Sequence, residues 1–213
     1  MIAHTTHHLS PESDAMSSLT ATAAPITHPL STRRILLRWM LSFLGFPLGG
    51  LVAWLLIGPV VDATSAVTGG FLTGAVLGAV QAWALHADRR QLITWALATS
   101  VGMACGLVAG ATAAGYGTSL EDLVLQGVLT GAAVGLAQAA ALRRRTGRLA
   151  LAWPVYLAFV WGVGWAVTTL AGIGVEEQFT VFGASGALVA ALLTAVLPLV
   201  LRARSASSQA SAA

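Results

Sequence analysis

The most informative stretch of this 213-residue chain is Gly70-Phe-Leu-Thr-Gly-Ala-Val-Leu-Gly-Ala-Val-Gln-Ala-Trp-Ala-Leu85, because its pattern occurs twice. The second copy begins 57 residues later and reads Gly127-Val-Leu-Thr-Gly-Ala-Ala-Val-Gly-Leu-Ala-Gln-Ala-Ala-Ala-Leu142, with ten of the 16 aligned residues identical. Each copy has three glycines spaced four residues apart and one glutamine among apolar residues. Glycines at this spacing line one face of a helix and let two helices approach closely within lipid. Both copies are therefore predicted to be membrane-spanning helices.

The composition of the chain is typical of a protein that lies within a bilayer. Hydrophobic residues make up 56% and charged residues only 9%, and the mean hydropathy is +0.79. Soluble domains carry about 25% charged residues, so the composition excludes a soluble domain. The single cysteine, Cys105, allows no disulfide and no cysteine-based metal site within one chain. All basic residues are arginine, and alanine and glycine are abundant, which indicates GC-rich coding and a bacterial source.

Charged residues divide the apolar part of the chain into six uncharged runs. The runs are 39–61, 63–87, 91–120, 123–142, 149–175 and 178–201. A helix needs roughly 20 apolar residues to cross a bilayer, so each run can span once. We therefore predict an all-α polytopic membrane protein, with six transmembrane helices within residues 31–204. Residues 1–30 are predicted to be a disordered cytoplasmic tail, and residues 205–213 a disordered C-terminal tail.

The charges at the ends of these runs predict the orientation. All eleven arginines lie at alternate ends of the runs, whereas the other ends carry acidic residues. Because arginine is retained on the cytoplasmic side, we expect both termini to lie inside a bacterial plasma membrane. Trp39, Trp83, Trp95 and Trp153 lie near the cytoplasmic ends of their runs and are expected to form an aromatic belt. Orientation accounts for the net charge of +3, so no nucleic-acid partner is expected.

The repetition extends beyond the opening stretch. Trp39, Trp95 and Trp153 begin every second run, at intervals of 56 and 58 residues. These intervals predict three tandem two-helix hairpins that run in the same direction, related by an axis along the membrane normal. In the third hairpin, Thr194 or Ala195 stands where the glutamine would be.

Glycines at four-residue spacing are the residues expected to hold the helices together. Lipid tails are as apolar as leucine, so helices in a bilayer associate through close packing at small residues. The expected packing glycines are Gly70, Gly74, Gly78, Gly102, Gly106, Gly110, Gly127, Gly131 and Gly135.

Three further residues are candidates for a binding site. Gln81 and Gln138 occupy matching places toward the cytoplasmic side, where each amide needs partners inside the membrane. Their amides are expected either to form hydrogen bonds between helices or to form a polar ring that touches a solute or a lipid headgroup. Pro47 interrupts the first span, which predicts a kink that either lines a substrate site or has no further role.

The acidic residues of the outer turns form the last candidate site. Asp62, Glu121 and Glu176 recur with the hairpins and could form a ring that attracts cations, or they could be ordinary solvated loop residues. No Asp, Glu or Arg falls deep inside a run, so the usual mark of ion-coupled transport is missing from the sequence.

The membrane region resembles uncharacterised small multi-pass membrane proteins of bacteria that carry repeated GxxxGxxQ helix hairpins, each followed by an arginine-rich loop. The residues that carry this resemblance are Gly74, Gly78 and Gln81 with Arg89 and Arg90, and Gly131, Gly135 and Gln138 with Arg143, Arg144 and Arg145. The resemblance implies a membrane fold and brings no assigned activity.

The sequence contains no recognisable catalytic constellation. Gly183-Ala-Ser-Gly186 resembles the nucleophile motif of rhomboid intramembrane proteases, but no histidine follows Ser185 to activate it. We expect a non-enzymatic protein without cofactor or metal that acts as a helix-packing or interaction scaffold. Its expected partners are the lipid bilayer and either a second copy or another membrane protein. The alternative is a small-solute or lipid transporter with a path along the pseudo-threefold axis near Pro47, Gln81 and Gln138.

Overall fold

The computed structural model of the protein describes residues 31–210, apart from the side chains of residues 208 and 209. All regular structure within that range is helical, and it includes no strand. The α-helices are α1 (Thr32–Leu41), α2 (Gly45–Ile57), α3 (Ala63–Ala84), α4 (Arg89–Ala113), α5 (Leu120–Thr146), α6 (Trp153–Leu170), α7 (Ala184–Thr194) and α8 (Val196–Ala210). Short 3-10 helices occupy Ser42–Leu44 and Gly147–Ala152. The tail predicted for residues 1–30 lies outside the described residues.

Five helical segments are long and apolar enough to cross a membrane. They are Thr32–Ile57, Ala63–Ala84, Arg89–Ala113, Leu120–Leu170 and Ala184–Ser207. The fourth has 51 residues and includes α5, the 3-10 helix Gly147–Ala152 and α6. Its two halves, α5 and α6, pack side by side. A Cβ atom added to Gly135 of α5 would lie 2.5 Å from the Cα of Pro154 in α6.

Proline accounts for the breaks in the first and last segments. Pro47 is the third residue of α2 and has no N–H to donate to the carbonyl of Phe43, which lies in the 3-10 helix Ser42–Leu44. The expected irregularity at Pro47 is therefore a 3-10 turn just before it. Pro198 is likewise the third residue of α8 and cannot donate to Thr194, so α7 ends at that residue.

Consecutive helices pack through their glycines. A Cβ atom added to Gly74 of α3 would lie 2.6 Å from the Cα of Ser100 in α4, and one added to Gly102 of α4 would lie 2.6 Å from the Cα of Val134 in α5. The nine glycines predicted for packing all show this pattern: Gly70, Gly74 and Gly78 face α4, Gly102, Gly106 and Gly110 face α5, and Gly127, Gly131 and Gly135 face α6. Helices α2 to α7 thus follow one another around the bundle, and α7 returns to α1 and the first 3-10 helix.

The two ends of the bundle differ in charge. We call one the arginine end, because it carries all eleven arginines: Arg33, Arg34, Arg38, Arg89, Arg90, Arg143, Arg144, Arg145, Arg148, Arg202 and Arg204. Hydrogen bonds at this end join α8 to α1, through Arg202 and Thr32 at 2.7 Å, and α1 to the loop after α3. The acidic end carries Asp62, Glu121, Asp122, Glu176 and Glu177.

The last segment differs from its prediction at both ends. Residues 178–183 were expected to begin a helix, but they form an irregular, non-helical segment with bends at Thr180 and Val181, and α7 starts only at Ala184. Two carbonyls of this segment have partners elsewhere in the bundle: the Val60 N–H, in the loop between α2 and α3, donates to the Gln178 carbonyl at 3.0 Å, and Gln126 Nε2 of α5 donates to the Phe179 carbonyl at 3.1 Å. Non-helical backbone can be accommodated among apolar helices where other protein groups cover it and supply hydrogen bonds. At the other end, α8 continues to Ala210, into the residues predicted to be a disordered tail, where alanine favours a helix. The Ser205 hydroxyl donates to the Leu201 carbonyl at 3.0 Å.

Replacing Gly74 with alanine should destabilise the fold by about 1–3 kcal/mol, because the new Cβ would press on the backbone of α4. The measurement is the unfolding free energy in mixed micelles. Gly174→Ala is the matched control, since a Cβ there meets nothing within 4 Å. Equal stability of the two variants would contradict this view of helix packing.

Candidate functional site

Gln81 and Gln138 lie together at the arginine end, in one hydrogen-bonded network. Trp95 Nε1 donates to Gln81 Oε1 at 3.1 Å, and Trp153 Nε1 donates to Gln138 Oε1 at 2.9 Å. Gln138 Nε2 donates to Thr99 Oγ1 at 2.9 Å and also lies 3.5 Å from Gln81 Oε1. Gln138 is only 2% exposed, so these bonds replace water that the amide cannot reach. The two glutamines thus connect α3, α4, α5 and α6.

A third tryptophan completes the same layer with a different acceptor. Trp39 Nε1 lies 3.3 Å from Thr194 Oγ1 and 3.2 Å from the Ala191 carbonyl oxygen, and it donates to both. Thr194 in turn donates to the Ala190 carbonyl at 2.7 Å. We call this set the Trp–Gln layer: Trp39, Gln81, Trp95, Thr99, Gln138, Trp153 and Thr194.

The space enclosed by the Trp–Gln layer is small. The cavity on the bundle axis has a volume of about 10 Å³, and residues of helices α1 to α7 line it. This is about the space that one water molecule requires. The side chains of the layer are amides, indoles and hydroxyls, which keep their protons near neutral pH. The layer can therefore exchange hydrogen bonds, but its own groups do not supply an acid or a base.

The position of the tryptophans differs from the sequence prediction. Of the four expected in an aromatic belt, only Trp83 is well exposed, at 48%. Trp39, Trp95 and Trp153 are 1%, 6% and 8% exposed, so they belong to the interior. They turn inward because each indole N–H finds an oxygen acceptor there, which a lipid tail cannot offer. Their spacing of 56 and 58 residues, close to the 57-residue interval of the glutamines, is the signal that could have paired them.

A second buried polar cluster, at the acidic end, was missed by the sequence analysis. Gln126 is fully buried, and its Nε2 donates to the Phe179 carbonyl at 3.1 Å. Thr73 Oγ1 lies 3.0 Å from Thr180 Oγ1, which joins the same non-helical segment before α7 to α3. Gln126 and Gly69 occupy matching positions, 57 residues apart, immediately before the two copies of the repeated stretch. A Cβ atom added to Gly69 would also meet Thr180, at 3.0 Å. A glutamine in one position and a glycine in the other is the sequence difference that could have indicated this cluster.

Pro47 does not join the two glutamines. It is exposed and lines an apolar cleft of about 450 Å³ between α2, α6 and the segment before α7. Trp54, Phe179 and Phe182 share this cleft, and neither Gln81 nor Gln138 contributes to it. The three candidate residues therefore belong to two separate places in the bundle.

The three outer acids are exposed and do not converge. Asp62 caps α3, and the pKa of its carboxyl lies below the ordinary value, because the Ser65 backbone N–H donates to it at 2.7 Å and the Ser65 hydroxyl at 2.8 Å. Glu121 lies in the first turn of α5, and Glu176 lies in the segment before α7. Among residues 31–210, no group of three His, Cys, Asp or Glu side chains is placed to hold a metal ion.

Ser185 and the histidine nearest to a predicted span lie at opposite ends of the bundle. Ser185 is the second residue of α7, and its Oγ is buried without a hydrogen-bond partner. His86 follows α3 at the arginine end, where Arg38 Nη1 lies 2.8 Å from both ring nitrogens. Loss of hydration, and then the charge of Arg38, lowers the pKa of the His86 imidazole. This histidine therefore interacts with Arg38 and not with the serine.

Comparison with known proteins adds no second source of information about the site. The chain matches no protein-family model, and neither a curated protein nor a solved structure is similar to it. The interpretation of the Trp–Gln layer accordingly rests on its own contacts.

Replacing Gln138 with leucine should lower the unfolding free energy by about 1–3 kcal/mol, because the Trp153 indole N–H would be buried without an acceptor. Combined with Trp153→Phe, the loss should be smaller than the sum of the two single losses by about 0.5–1.7 kcal/mol. Unfolding in mixed micelles measures all four members of the cycle. The matched control pairs Trp153→Phe with Gln91→Leu, an exposed glutamine, and should be additive. Additivity in the Gln138 cycle would show that the bond contributes nothing.

Proposed function

We propose that the chain crosses a bacterial plasma membrane six times, as three tandem hairpins with both termini in the cytoplasm. The 51-residue segment Leu120–Leu170 supports two of these crossings, because α5 and α6 of about 40 Å and 27 Å pack against each other. The charge difference between the arginine end and the acidic end supports the orientation, since arginine is retained on the cytoplasmic side.

The hydrogen bonds of the Trp–Gln layer support the threefold repetition of hairpins. In each bond, a tryptophan at the start of one hairpin reaches the second helix of another hairpin: Trp95 reaches Gln81, Trp153 reaches Gln138, and Trp39 reaches Thr194. The last of these connects the first hairpin with the third and so closes the ring. A pseudo-threefold axis along the membrane normal is consistent with all three bonds.

We propose that the protein is a non-enzymatic scaffold, and the closed axis is the observation that carries this proposal. Small-molecule sites have volumes of about 300–1,000 Å³, whereas the axial cavity has about 10 Å³. The alternative, a small-solute or lipid transporter, requires a polar path along the axis. Gln81 and Gln138 would line that path, yet their amides are engaged in bonds between helices.

The full-length chain, reconstituted in vesicles of phosphatidylethanolamine and phosphatidylglycerol, should leave the membrane as tight as protein-free vesicles. Stopped-flow light scattering under a glycerol gradient measures solute entry, and dithionite bleaching of a fluorescent phosphatidylcholine measures lipid flip. Vesicles that contain gramicidin are the positive control for a leak, measured as light scattering under a gradient of a permeant salt. Faster glycerol entry or lipid flip with the protein than without it would favour the transporter instead.

The face that remains for a partner is formed by leucine. The packing glycines all face neighbouring helices, so they leave no glycine face of their own for another chain. From α1 through the 3-10 helix Ser42–Leu44 into α2, however, six leucines recur at alternating intervals of four and three residues, and all are 42–72% exposed. This leucine face comprises Leu37, Leu41, Leu44, Leu48, Leu51 and Leu55. Such spacing permits interlocking of side chains with a second copy of the same face.

The triple variant Leu41→Ala, Leu48→Ala, Leu55→Ala should lose self-association, because it removes every second side chain of the leucine face. Energy transfer between donor- and acceptor-labelled copies in phosphatidylcholine vesicles, followed as lipid dilutes them, measures association. The control variant Leu97→Ala, Leu136→Ala, Leu192→Ala removes three exposed leucines from other helices and should behave like the wild type. Wild-type transfer at the level of random proximity would refute a second copy as the partner.

A further inference from the structure

The arginine end contains a groove that lies outside the Trp–Gln layer and shares only Trp95 with it. It has a volume of about 540 Å³ and lies between the end of α3, the start of α4, the end of α5 and α8. The residues that give it its chemistry are Asp88, Arg90, Arg144 and Arg145 at the polar side, and Leu85, Leu142 and Leu201 at the apolar side. One cavity thus combines a charged side with a hydrocarbon side.

The charge of the groove is positive. Three arginines and one aspartate give a net charge of +2. The aspartate is already engaged, because Asp88 Oδ1 accepts a hydrogen bond from the Gln91 backbone N–H at 2.8 Å as the cap of α4. Among residues 31–210, the guanidinium groups of Arg90, Arg144 and Arg145 make no hydrogen bond or ion pair. All three are exposed and remain available to an anion.

The apolar side of the groove continues toward a second cleft. This cleft has a volume of about 290 Å³ and shares Leu142 with the groove. Its other lining residues are mainly apolar and include Leu149, Trp153, Tyr156 and Leu197. A free phosphate or an acidic peptide would leave this apolar surface uncovered. A ligand with a phosphate next to an acyl chain matches both parts.

We propose that the groove binds an anionic phospholipid of the adjacent leaflet, with Arg90, Arg144 and Arg145 around the headgroup phosphate and an acyl chain along Leu142. Arginine is suited to this contact because its planar fork can donate two hydrogen bonds to one phosphate. Basic pockets between helices at the cytoplasmic surface are places where anionic headgroups bind. The inference rests on the proposal that the bundle spans a bilayer, but it does not depend on the scaffold role.

Native mass spectrometry of the full chain in micelles with equal amounts of phosphatidylglycerol and phosphatidylcholine tests the proposal. The wild type should retain phosphatidylglycerol preferentially. Arg144→Gln with Arg145→Gln should weaken that retention by roughly 30-fold. Each arginine near an anionic surface contributes about 1 kcal/mol of binding free energy, and about 2 kcal/mol corresponds to this change in affinity. Arg144→Lys with Arg145→Lys keeps the charge but not the planar fork, so its retention of phosphatidylglycerol should lie between those of the wild type and the glutamine variant. This intermediate result separates a lost site from a lost fold.

The matched control is Arg33→Gln with Arg34→Gln, which removes the same charge from the arginine end outside the groove. This variant should keep its preference for phosphatidylglycerol, and an equal loss in both glutamine variants would overturn the proposal. Inorganic phosphate at millimolar concentration is the second arm and should not raise the unfolding temperature, whereas phosphatidylglycerol should. Equal stabilisation by phosphate alone would also overturn it. The flux measurement does not bear on this test, so failure of either proposal can be recognised separately.

Discussion

Close approach of consecutive helices at glycine is the constraint on which the rest of the structure depends. Within lipid, apolar side chains gain nothing by leaving their surroundings for one another, so the helices are held by short-range packing. Gly74 against Ser100 and Gly102 against Val134 illustrate how little room remains between neighbouring backbones. Because each stripe of glycines faces the next helix in the chain, the order of the helices around the bundle follows the order of the sequence.

This close ring explains why tryptophan and glutamine are paired at its centre. Tight packing leaves room on the axis for inward-facing side chains but almost none for water. A buried indole N–H without an acceptor is unfavourable, and a buried amide needs partners for both its oxygen and its nitrogen. Trp153 and Gln138 meet these requirements for each other at 2.9 Å. At the acidic end, Gln126 meets this requirement only through its nitrogen, which donates to the Phe179 carbonyl at 3.1 Å, whereas its Oε1 is buried without a hydrogen-bond partner.

The helical class, the approximate helix positions and the glycines that face neighbouring helices could be predicted from the sequence, because each follows from spacing along a single helix. The same spacing placed Gln81 and Gln138 at matching positions, where both amides form hydrogen bonds between helices. The partners of the glutamines could not, since hydropathy reports transfer into lipid and does not distinguish an inward Trp95 from a tryptophan at the membrane surface. Residues 178–183 were misjudged for a related reason. Their apolar composition suits a helix, and contacts with residues that are distant in the sequence, including Val60, Thr73 and Gln126, hold the segment in its non-helical form.

The bond between Trp39 and Thr194 has a consequence for the topology of the chain. Since α7 packs on α1 and Arg202 reaches Thr32 at 2.7 Å, the start and the end of the described bundle are neighbours. A circular permutation that joined these ends would therefore preserve the contacts between all pairs of adjacent helices. The position of the termini between α1 and α8 is in this sense one choice among several that the same packing would accept.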